Sequence, residues 1–206
     1  MAHEAEIKEL LIGNAISLIA EGGFEKATTK NLTYYSGNLP DFKMNEVYIY
    51  RLFESKEGLY EAAFLRLDYE LFRLIHKEQQ SLFSSCKDSG VRTKLYGFFQ
   101  KIWNFVVGNE DRCRCYVRYY YSVYFRGSSR DAHNRLFEQV IADVKVFFKE
   151  EADARSILHS VFITLLDFAI RVHNGELTDA DDYRPHVFNV LYCMMQTYFR
   201  EDLRIL

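Results

Sequence analysis

The cysteine and histidine side chains are the first candidates for chemistry, because they bind metals and act as nucleophiles or bases. Cys113 and Cys115 enclose a single residue, which is shorter than the usual Cys-x-x-Cys zinc hook. On a helix their side chains would also diverge by roughly 200°, which disfavours a redox pair. No two histidines have metal-binding spacing on one helix among His76, His133, His159, His173 and His186. The sequence therefore predicts neither a metal site nor a cofactor.

Motifs of the common enzyme classes are missing from the sequence. It contains no Gly-rich phosphate-binding loop and no Gly-x-Ser-x-Gly nucleophile turn. A small helical enzyme would need a cleft that holds an acid–base pair with shifted pKa values, and no residue pattern indicates one. We therefore predict that the protein is not an enzyme.

A stretch rich in aromatic residues and arginine covers residues 113–126, and Trp103 precedes it. Ligand pockets are mostly apolar with a few placed polar groups, and an arginine can pair with an anionic ligand. Aromatic residues at helical spacing also form ordinary core packing, so both interpretations stay open. The residues predicted to bind a ligand are Phe99, Trp103, Arg114, Tyr116, Arg118, Tyr120, Tyr121, Tyr124 and Phe162.

Long helices are expected to position these residues, because the 206-residue chain contains only 2 Pro and 10 Gly. Hydrophobic residues make up 49% of the sequence, enough for a sizeable core, and no segment alternates as a strand would. Apolar spacing predicts an all-α fold of about nine helices. They lie near residues 4–21, 28–36, 44–53, 55 to beyond 75, 91–107, 112–126, 130–150, 153–174 and 184–203.

The first helices carry local start and stop signals. Gly22 and Gly23 should end the first helix, since glycine accepts the left-handed conformation found at helix C-termini. The expected N-caps of the next three helices are Thr28 or Thr29, Asn45 and Ser55. The packing candidates of the third helix are Val47, Ile49, Tyr50 and Phe53. Three short helices with a glycine-marked turn describe a helix-turn-helix unit, although other helical proteins share that pattern.

Two segments of this region also resemble the sequences of a known protein family. Residues 24–32 read Phe-Glu-Lys-Ala-Thr-Thr-Lys-Asn-Leu, and residues 48–60 read Tyr-Ile-Tyr-Arg-Leu-Phe-Glu-Ser-Lys-Glu-Gly-Leu-Tyr. Together they resemble the helix-2 entry and the recognition helix of the TetR family of transcriptional regulators. The resemblance covers about residues 7–64, and beyond it only the number and length of the helices agree.

The resemblance implies a helix-turn-helix DNA-binding domain over residues 1–56 and a helical effector-binding and dimerisation domain over residues 57–206. It implies a repressor whose affinity for DNA is modulated by a small molecule. In such a dimer two recognition helices lie one DNA turn apart on a palindromic operator. The DNA-contacting residues that it implies are Thr28, Thr29, Lys30, Asn45, Glu46, Tyr48, Tyr50, Arg51 and Lys56.

Two features depart from the family pattern. About six extra residues, 38–43, follow the glycine that ends the second helix. Residues 1–56 also contain six Lys and Arg against eight Asp and Glu, a net charge of −2, although phosphate neutralisation supplies most non-specific DNA affinity. The alternative is a dimeric helical sensor or interaction protein whose N-terminal head no longer binds DNA.

The last two predicted helices, near 153–174 and 184–203, are apolar over more than one face. A helix of this kind requires burial on both sides, and the family resemblance implies that the pair packs against its two-fold mate. We therefore expect a homodimer through these helices.

The N-terminus has neither a basic region nor an apolar run, so it does not resemble a signal peptide. No apolar run approaches the roughly 18 residues of a membrane span, so none is expected. The chain is therefore expected to be cytoplasmic, with reduced thiols, and unattached to membranes.

Overall fold

A computed structural model describes residues 2–34, 44–84 and 90–204, and within these ranges the chain is helical without a β-strand. This confirms the predicted all-α fold. The helices, in chain order, are α1 (Ala2–Lys26), α2 (Thr29–Tyr34), α3 (Val47–Phe53), α4 (Lys56–Ser84), α5 (Val91–Val107), α6 (Glu110–Tyr120), α7 (Ser128–Val144), α8 (Ala154–His173), α9 (Arg184–Gln196) and α10 (Glu201–Arg204). A single 3₁₀ turn, Lys145–Phe147, follows α7. The extra residues 38–43 lie outside the described residues.

Three helices end earlier than the sequence indicates. The helix predicted over 130–150 stops at Val144, where the 3₁₀ turn follows. The helix predicted over 112–126 stops at Tyr120 because a hydrogen-bonded turn follows, in which the Ser122 hydroxyl donates to the Tyr119 carbonyl over 2.7 Å. The helix predicted to reach residue 203 stops at Gln196. There the chain turns into a short antiparallel bridge between Phe148 and Phe199, a long-range pairing that helical periodicity does not reveal.

The chain packs into two compact units. Unit 1 contains residues 1–69 and 110–133, and unit 2 contains residues 70–109 and 134–206. The helices α4 and α7 contribute residues to both units. This division describes packing, so the predicted functional boundary after residue 56 stays a prediction.

In unit 1, α1 packs along α6 and against α2 and α3. The side chains of Leu11, Ile19, Leu32 and Ile49 are fully buried there. The buried Asn14 amide donates a 2.8 Å hydrogen bond to the Leu32 carbonyl, which ties α1 to α2. The short helices α2 and α3 are thus held by the long helix α1, because helices of six or seven residues are not stable alone.

In unit 2, α5, α8 and α9 pack on one another. The segment before α9 is anchored by Asp179, which accepts a 2.8 Å hydrogen bond from the buried Trp103 indole and two from the Arg184 guanidinium. The Arg184 hydrogen bonds, assisted by that of Trp103, hold the pKa of Asp179 below its usual value despite partial burial.

The helix α8 is long and apolar enough to meet the length and composition criteria of a membrane span, contrary to the sequence-based expectation. Its mean hydropathy is 1.3, and only 28% of the apolar window is buried. A core helix of a globular protein meets the same criteria, and α8 buries Leu165, Leu166 and Ala169 within unit 2. One such helix is weak support for a membrane protein.

Candidate DNA-contact surface and ligand cavity

The start of α2 is fixed by side-chain hydrogen bonds that lie within a few residues of one another. At Gly23 a φ of 74° interrupts α1, as the glycine pair predicts. Five residues after Gly23, the Thr28 hydroxyl accepts a 3.2 Å hydrogen bond from the Asn31 N–H and caps α2. The Asn31 amide in turn donates to the Lys26 carbonyl over 2.7 Å. Thr28 and Lys30 are therefore exposed at the N-terminal end of α2.

The turn between α3 and α4 leaves room only for glycine at position 58. Glu54 takes a left-handed φ of 66° after α3, and the Ser55 hydroxyl accepts a 2.9 Å hydrogen bond from the Gly58 N–H, which caps α4. A β-carbon at Gly58 would lie 2.1 Å from the Phe53 carbonyl oxygen. The segment Phe-Glu-Ser-Lys-Glu-Gly thus fixes how α4 follows α3.

The helix α3 buries one side and presents the other to solvent. Ile49 and Phe53 are buried as predicted, but Val47 is 62% exposed and Tyr50 is 53% exposed. The packing prediction is therefore wrong for Val47 and Tyr50, because a seven-residue helix has room for only one buried row of side chains. Just before α3, the side-chain oxygen Oδ1 of Asn45 accepts a 3.0 Å hydrogen bond from the Val47 N–H. The N-cap of α3 is Glu46 and not Asn45 as predicted, because the helix begins one residue later, at Val47.

None of the nine residues predicted to contact DNA is buried. The structure leaves Thr28, Lys30, Asn45, Glu46, Tyr50 and Arg51 exposed, and Thr29, Tyr48 and Lys56 partly exposed. They come from three segments of unit 1: the start of α2, the helix α3 with the two residues before it, and the first residue of α4.

A carboxylate and two aromatic rings contact the positive side chains of this surface. A guanidinium nitrogen of Arg51 lies 3.1 Å from a carboxylate oxygen of Glu4 on α1. The same guanidinium sits 4.9 Å from the centre of the Tyr48 ring, and the Lys56 ammonium sits 5.7 Å from that of Tyr60. Glu4 would therefore compete with a phosphate for the Arg51 guanidinium.

Unit 2 contains an apolar cavity of about 370 Å³. Residues of α4, α5, α7, α8 and α9 line it, together with residues of the 3₁₀ turn and of the bridge. The only polar residues of the described lining are Gln79 and Lys94. Gln79 is 2% exposed, and its carbonyl oxygen Oε1 has no hydrogen-bond partner.

Two of the nine residues predicted to bind a ligand, Phe99 and Phe162, line this cavity. Trp103 belongs to the same unit, but its side chain is fully buried and its indole N–H donates a hydrogen bond to Asp179. The other six belong to unit 1, and they are Arg114, Tyr116, Arg118, Tyr120, Tyr121 and Tyr124.

In unit 1 these side chains have structural partners. Arg118 donates a 2.9 Å hydrogen bond to the Ile19 carbonyl on α1, and Arg114 pairs with Glu110 one turn earlier on α6. The Tyr124 ring packs edge-on against Phe24 at 4.7 Å between ring centres. The aromatic stretch therefore contributes to the packing of unit 1.

A buried polar cluster in unit 1 was not predicted from the sequence. The Tyr116 hydroxyl donates to Asp68 over 3.0 Å, and Nδ1 of His133 lies 2.9 Å from the same carboxylate oxygen. Burial, and then the charge of Asp68, raise the pKa of Tyr116 well above its usual value. The cluster joins α4, α6 and α7 within unit 1 and is closed to solvent.

A common signal could have revealed both Asp68 and Gln79. Each lies on the apolar stripe of α4, with Asp68 four residues after Phe64 and Gln79 four residues after Ile75. A polar residue in phase with a buried stripe must find a partner or remain unpaired.

The cysteines offer no reactive thiol in the described core. Burial raises the pKa of both Cys113 and Cys115 to about 12, so both stay protonated at neutral pH. Cys193 is exposed and unpaired with another cysteine, and Cys86 lies outside the described residues. In the part of the chain that the structure describes, no group of three or more His, Cys, Asp or Glu is placed to hold a metal ion.

Sequence comparisons identify no relative, since no protein-family model and no curated protein matches the chain. Solved structures do match. A TetR-family transcription regulator from Marinobacter aquaeolei VT8 superposes with a TM-score of 0.73 at 13% identity, over 94% of this chain and 98% of that one. A putative TetR-family regulator from Shewanella sp. PV-4 gives 0.68 at 16% identity, over 95% and 99%. The regulator FadR from Bacillus subtilis, solved with stearoyl-CoA, gives 0.58 at 17% identity, over 89% and 96%. The chain therefore has the fold of TetR-family transcription regulators.

Proposed function

We propose that the protein is a TetR-type, DNA-binding transcriptional regulator that acts as a homodimeric repressor in the cytoplasm, has no enzymatic activity, and is modulated by a small molecule. The observation that carries the proposal is the solvent-facing side of α3. Tyr50 and Arg51 on α3, together with Asn45 and Glu46 just before it, are exposed in the same unit as the capped helix α2, in a fold that solved transcription regulators share.

The DNA contacts that we propose divide into two kinds. Thr28, Thr29 and Lys30 lie at the N-terminus of α2, where backbone N–H groups and hydroxyls suit a phosphate. Side chains of α3 would reach base edges in the major groove, and Glu46 could accept a hydrogen bond from a cytosine amino group. Lys56, at the first position of α4, would meet the phosphate backbone.

The effector site that we propose is the apolar cavity of unit 2. Its volume of about 370 Å³ falls within the roughly 300–1,000 Å³ of small-molecule sites. The FadR structure with stearoyl-CoA shows that a regulator of this fold can be solved with a small molecule bound. Occupation of the cavity would lower operator affinity by a coupling free energy of about 1–3 kcal/mol.

The dimer that we propose forms through α8 and α9. Apolar residues of α8 such as Ile157 and Phe168 remain partly exposed, and Val190 on α9 is 45% exposed. A second copy would cover these surfaces, and it would also supply the second recognition helix that a palindromic operator needs.

The acidic head supports a second candidate, a dimeric helical sensor or interaction protein that does not bind DNA. The ion pair between Arg51 and Glu4 occupies the one arginine of the head, whose net charge is −2. Such a surface would suit a partner protein better than a phosphate backbone.

Selection of duplexes from a random DNA library at low salt separates the two candidates. A selected duplex that is palindromic, and whose affinity for the protein falls steeply with salt, would support a DNA-binding regulator. No enrichment, from protein shown to be folded and dimeric, would support the interaction protein.

Two variants test the placement of the contacts on the selected duplex. Tyr48→Ala should change the order of preference among related sites, because Tyr48 lies on the α3 surface. Lys56→Ala should weaken binding to all sequences alike and reduce the slope of log Kd against log salt by about 1. If neither variant changes binding, α3 is not the recognition helix.

A further inference from the structure

The cavity of unit 2 contains one group whose chemistry the surrounding side chains do not satisfy. The amide of Gln79 is buried among aliphatic and aromatic side chains such as Phe72, Ile75 and Phe99, which line the same cavity. Its carbonyl oxygen Oε1 has no hydrogen-bond partner. A buried acceptor in this state destabilises the protein unless a donor reaches it.

The cavity itself offers little to hold a water molecule at that oxygen. A buried water typically makes about three hydrogen bonds to polar groups. Besides Gln79, Lys94 is the only polar residue of the described lining, and it is partly exposed to solvent, unlike Gln79. The oxygen therefore suits a hydrogen-bond donor that belongs to an otherwise apolar molecule. The rest of that molecule would be stabilised by burial against the apolar side chains of the cavity.

We infer that the cavity binds an uncharged amphiphile, with a hydrocarbon body and one hydroxyl or amide N–H that donates to Oε1 of Gln79. The inference rests on the proposed function, for which it names the ligand class. A charged group at this position is disfavoured, because a carboxylate beside the uncharged amide would be desolvated without a counter-ion. The hydrocarbon body fills the space between the apolar side chains.

Chain length should determine affinity until the cavity is full. Each buried methylene is worth about 0.8 kcal/mol, which corresponds to roughly a fourfold lower Kd. A series of straight-chain primary alcohols should therefore bind with steadily falling Kd and then reach a plateau.

The experiment compares donor and acceptor ligands of equal size on the full-length protein. The ligands are primary alcohols of eight to fourteen carbons, methyl ethers with the same number of heavy atoms, and the matching fatty acids. Each ligand competes with an environment-sensitive dye for the cavity, and calorimetry measures its Kd directly. The alcohol should bind about tenfold more tightly than its methyl ether, because only the alcohol can donate to an acceptor.

Gln79→Met should abolish that tenfold difference while retaining binding of both ligands. The matched control is Gln80→Met, the same change one residue along α4 at an exposed position, which should keep the difference. Gln79→Met should also unfold at an equal or higher denaturant concentration, since it removes a buried carbonyl oxygen that has no hydrogen-bond partner. This second readout shows that the variant is folded.

Equal binding of alcohol and ether to the wild-type protein would overturn the role of Gln79. Tighter binding of the fatty acid, lost in Lys94→Met, would overturn the uncharged class. If none of the ligands competes while the protein still selects DNA, the inference fails and the DNA-binding part of the proposed function stands. If alcohols bind with the expected preference but no duplex is selected, the inference stands and the proposed regulator fails.

Discussion

Arg51, which we propose contacts DNA, is paired with a carboxylate of α1. Its guanidinium lies 3.1 Å from Glu4, and both side chains are about half exposed. An exposed ion pair is worth only about 0.2–1 kcal/mol. Glu4 would therefore reduce the phosphate affinity of Arg51 without preventing a contact.

Replacing Glu4 by glutamine should strengthen DNA binding. Glu4→Gln removes the competing carboxylate, and Kd for the selected duplex should fall up to about fivefold at low salt. The control is Glu6→Gln, an equal charge change in the same turn of α1 at an exposed position. A titration by fluorescence anisotropy measures both variants. Equal effects of the two would show that net charge, rather than release of Arg51, is responsible.

The hydroxyl of Tyr116 should stabilise unit 1 through the Asp68 carboxylate. Tyr116→Phe removes the 3.0 Å hydrogen bond, and the free energy of unfolding should fall by about 1.5–3 kcal/mol. Urea unfolding measures the change. The control is Tyr121→Phe, just after the end of α6 at a position that is 65% exposed, and its free energy of unfolding should stay within about 0.5 kcal/mol of the wild-type value.

The pH dependence offers a second check on Tyr116. Because its pKa is raised in the folded protein, the unfolded chain loses the proton first as the pH rises through about 10. Wild-type stability should then decline more steeply above this pH than that of Tyr116→Phe. Parallel declines would contradict a buried, protonated Tyr116.

At the scale of helices, the α3–α4 turn depends on the absence of one side chain. The Ser55 cap and the approach of the Phe53 carbonyl bring the backbone so close to Gly58 that a β-carbon cannot fit without movement. Any such movement would shift α3, which carries the proposed recognition residues.

Gly58→Ala should therefore lower the free energy of unfolding by about 1–3 kcal/mol, as overpacked sites do. The control is Gly13→Ala within α1, where nothing lies within 4 Å of the new β-carbon. Alanine should be neutral there or stabilise the helix by up to about 1 kcal/mol. Denaturant unfolding of both variants measures the contrast, and a neutral Gly58→Ala would mean that the turn relaxes freely.

At the scale of the whole molecule, the partly exposed apolar surface of α8 and α9 sets the expected assembly. Only 28% of the apolar window of α8 is buried within one chain. A second copy of the chain would cover that surface, and palindromic DNA recognition would depend on it.

Val190→Glu should therefore produce a folded monomer that no longer binds a palindromic duplex tightly. The introduced carboxylate would be desolvated without a partner in the dimer contact. Sedimentation gives the mass and circular dichroism the helix content. Val123→Glu is the matched control, since Val123 is also exposed but lies outside α8 and α9. A dimeric Val190→Glu would place the contact elsewhere.

The sequence alone determined the features that depend on neighbours a few residues away. The break of α1 at Gly23, the Thr28 and Ser55 caps and the helices α5 and α8 lie where the residues predict them, because each rests on contacts within about one helical turn. Family resemblance over residues 7–64 likewise reflects this local pattern.

Tertiary structure decided what each helix face meets. Periodicity places Tyr116 and Phe99 alike on apolar faces, but only the packing of distant helices separates a core residue of unit 1 from a cavity residue of unit 2. The same holds on α4, where Asp68 meets Tyr116 and His133 while Gln79 is left facing an apolar cavity. A partner contributed by a helix dozens of residues away leaves no local signal, because spacing along one helix fixes only which side chains share a face.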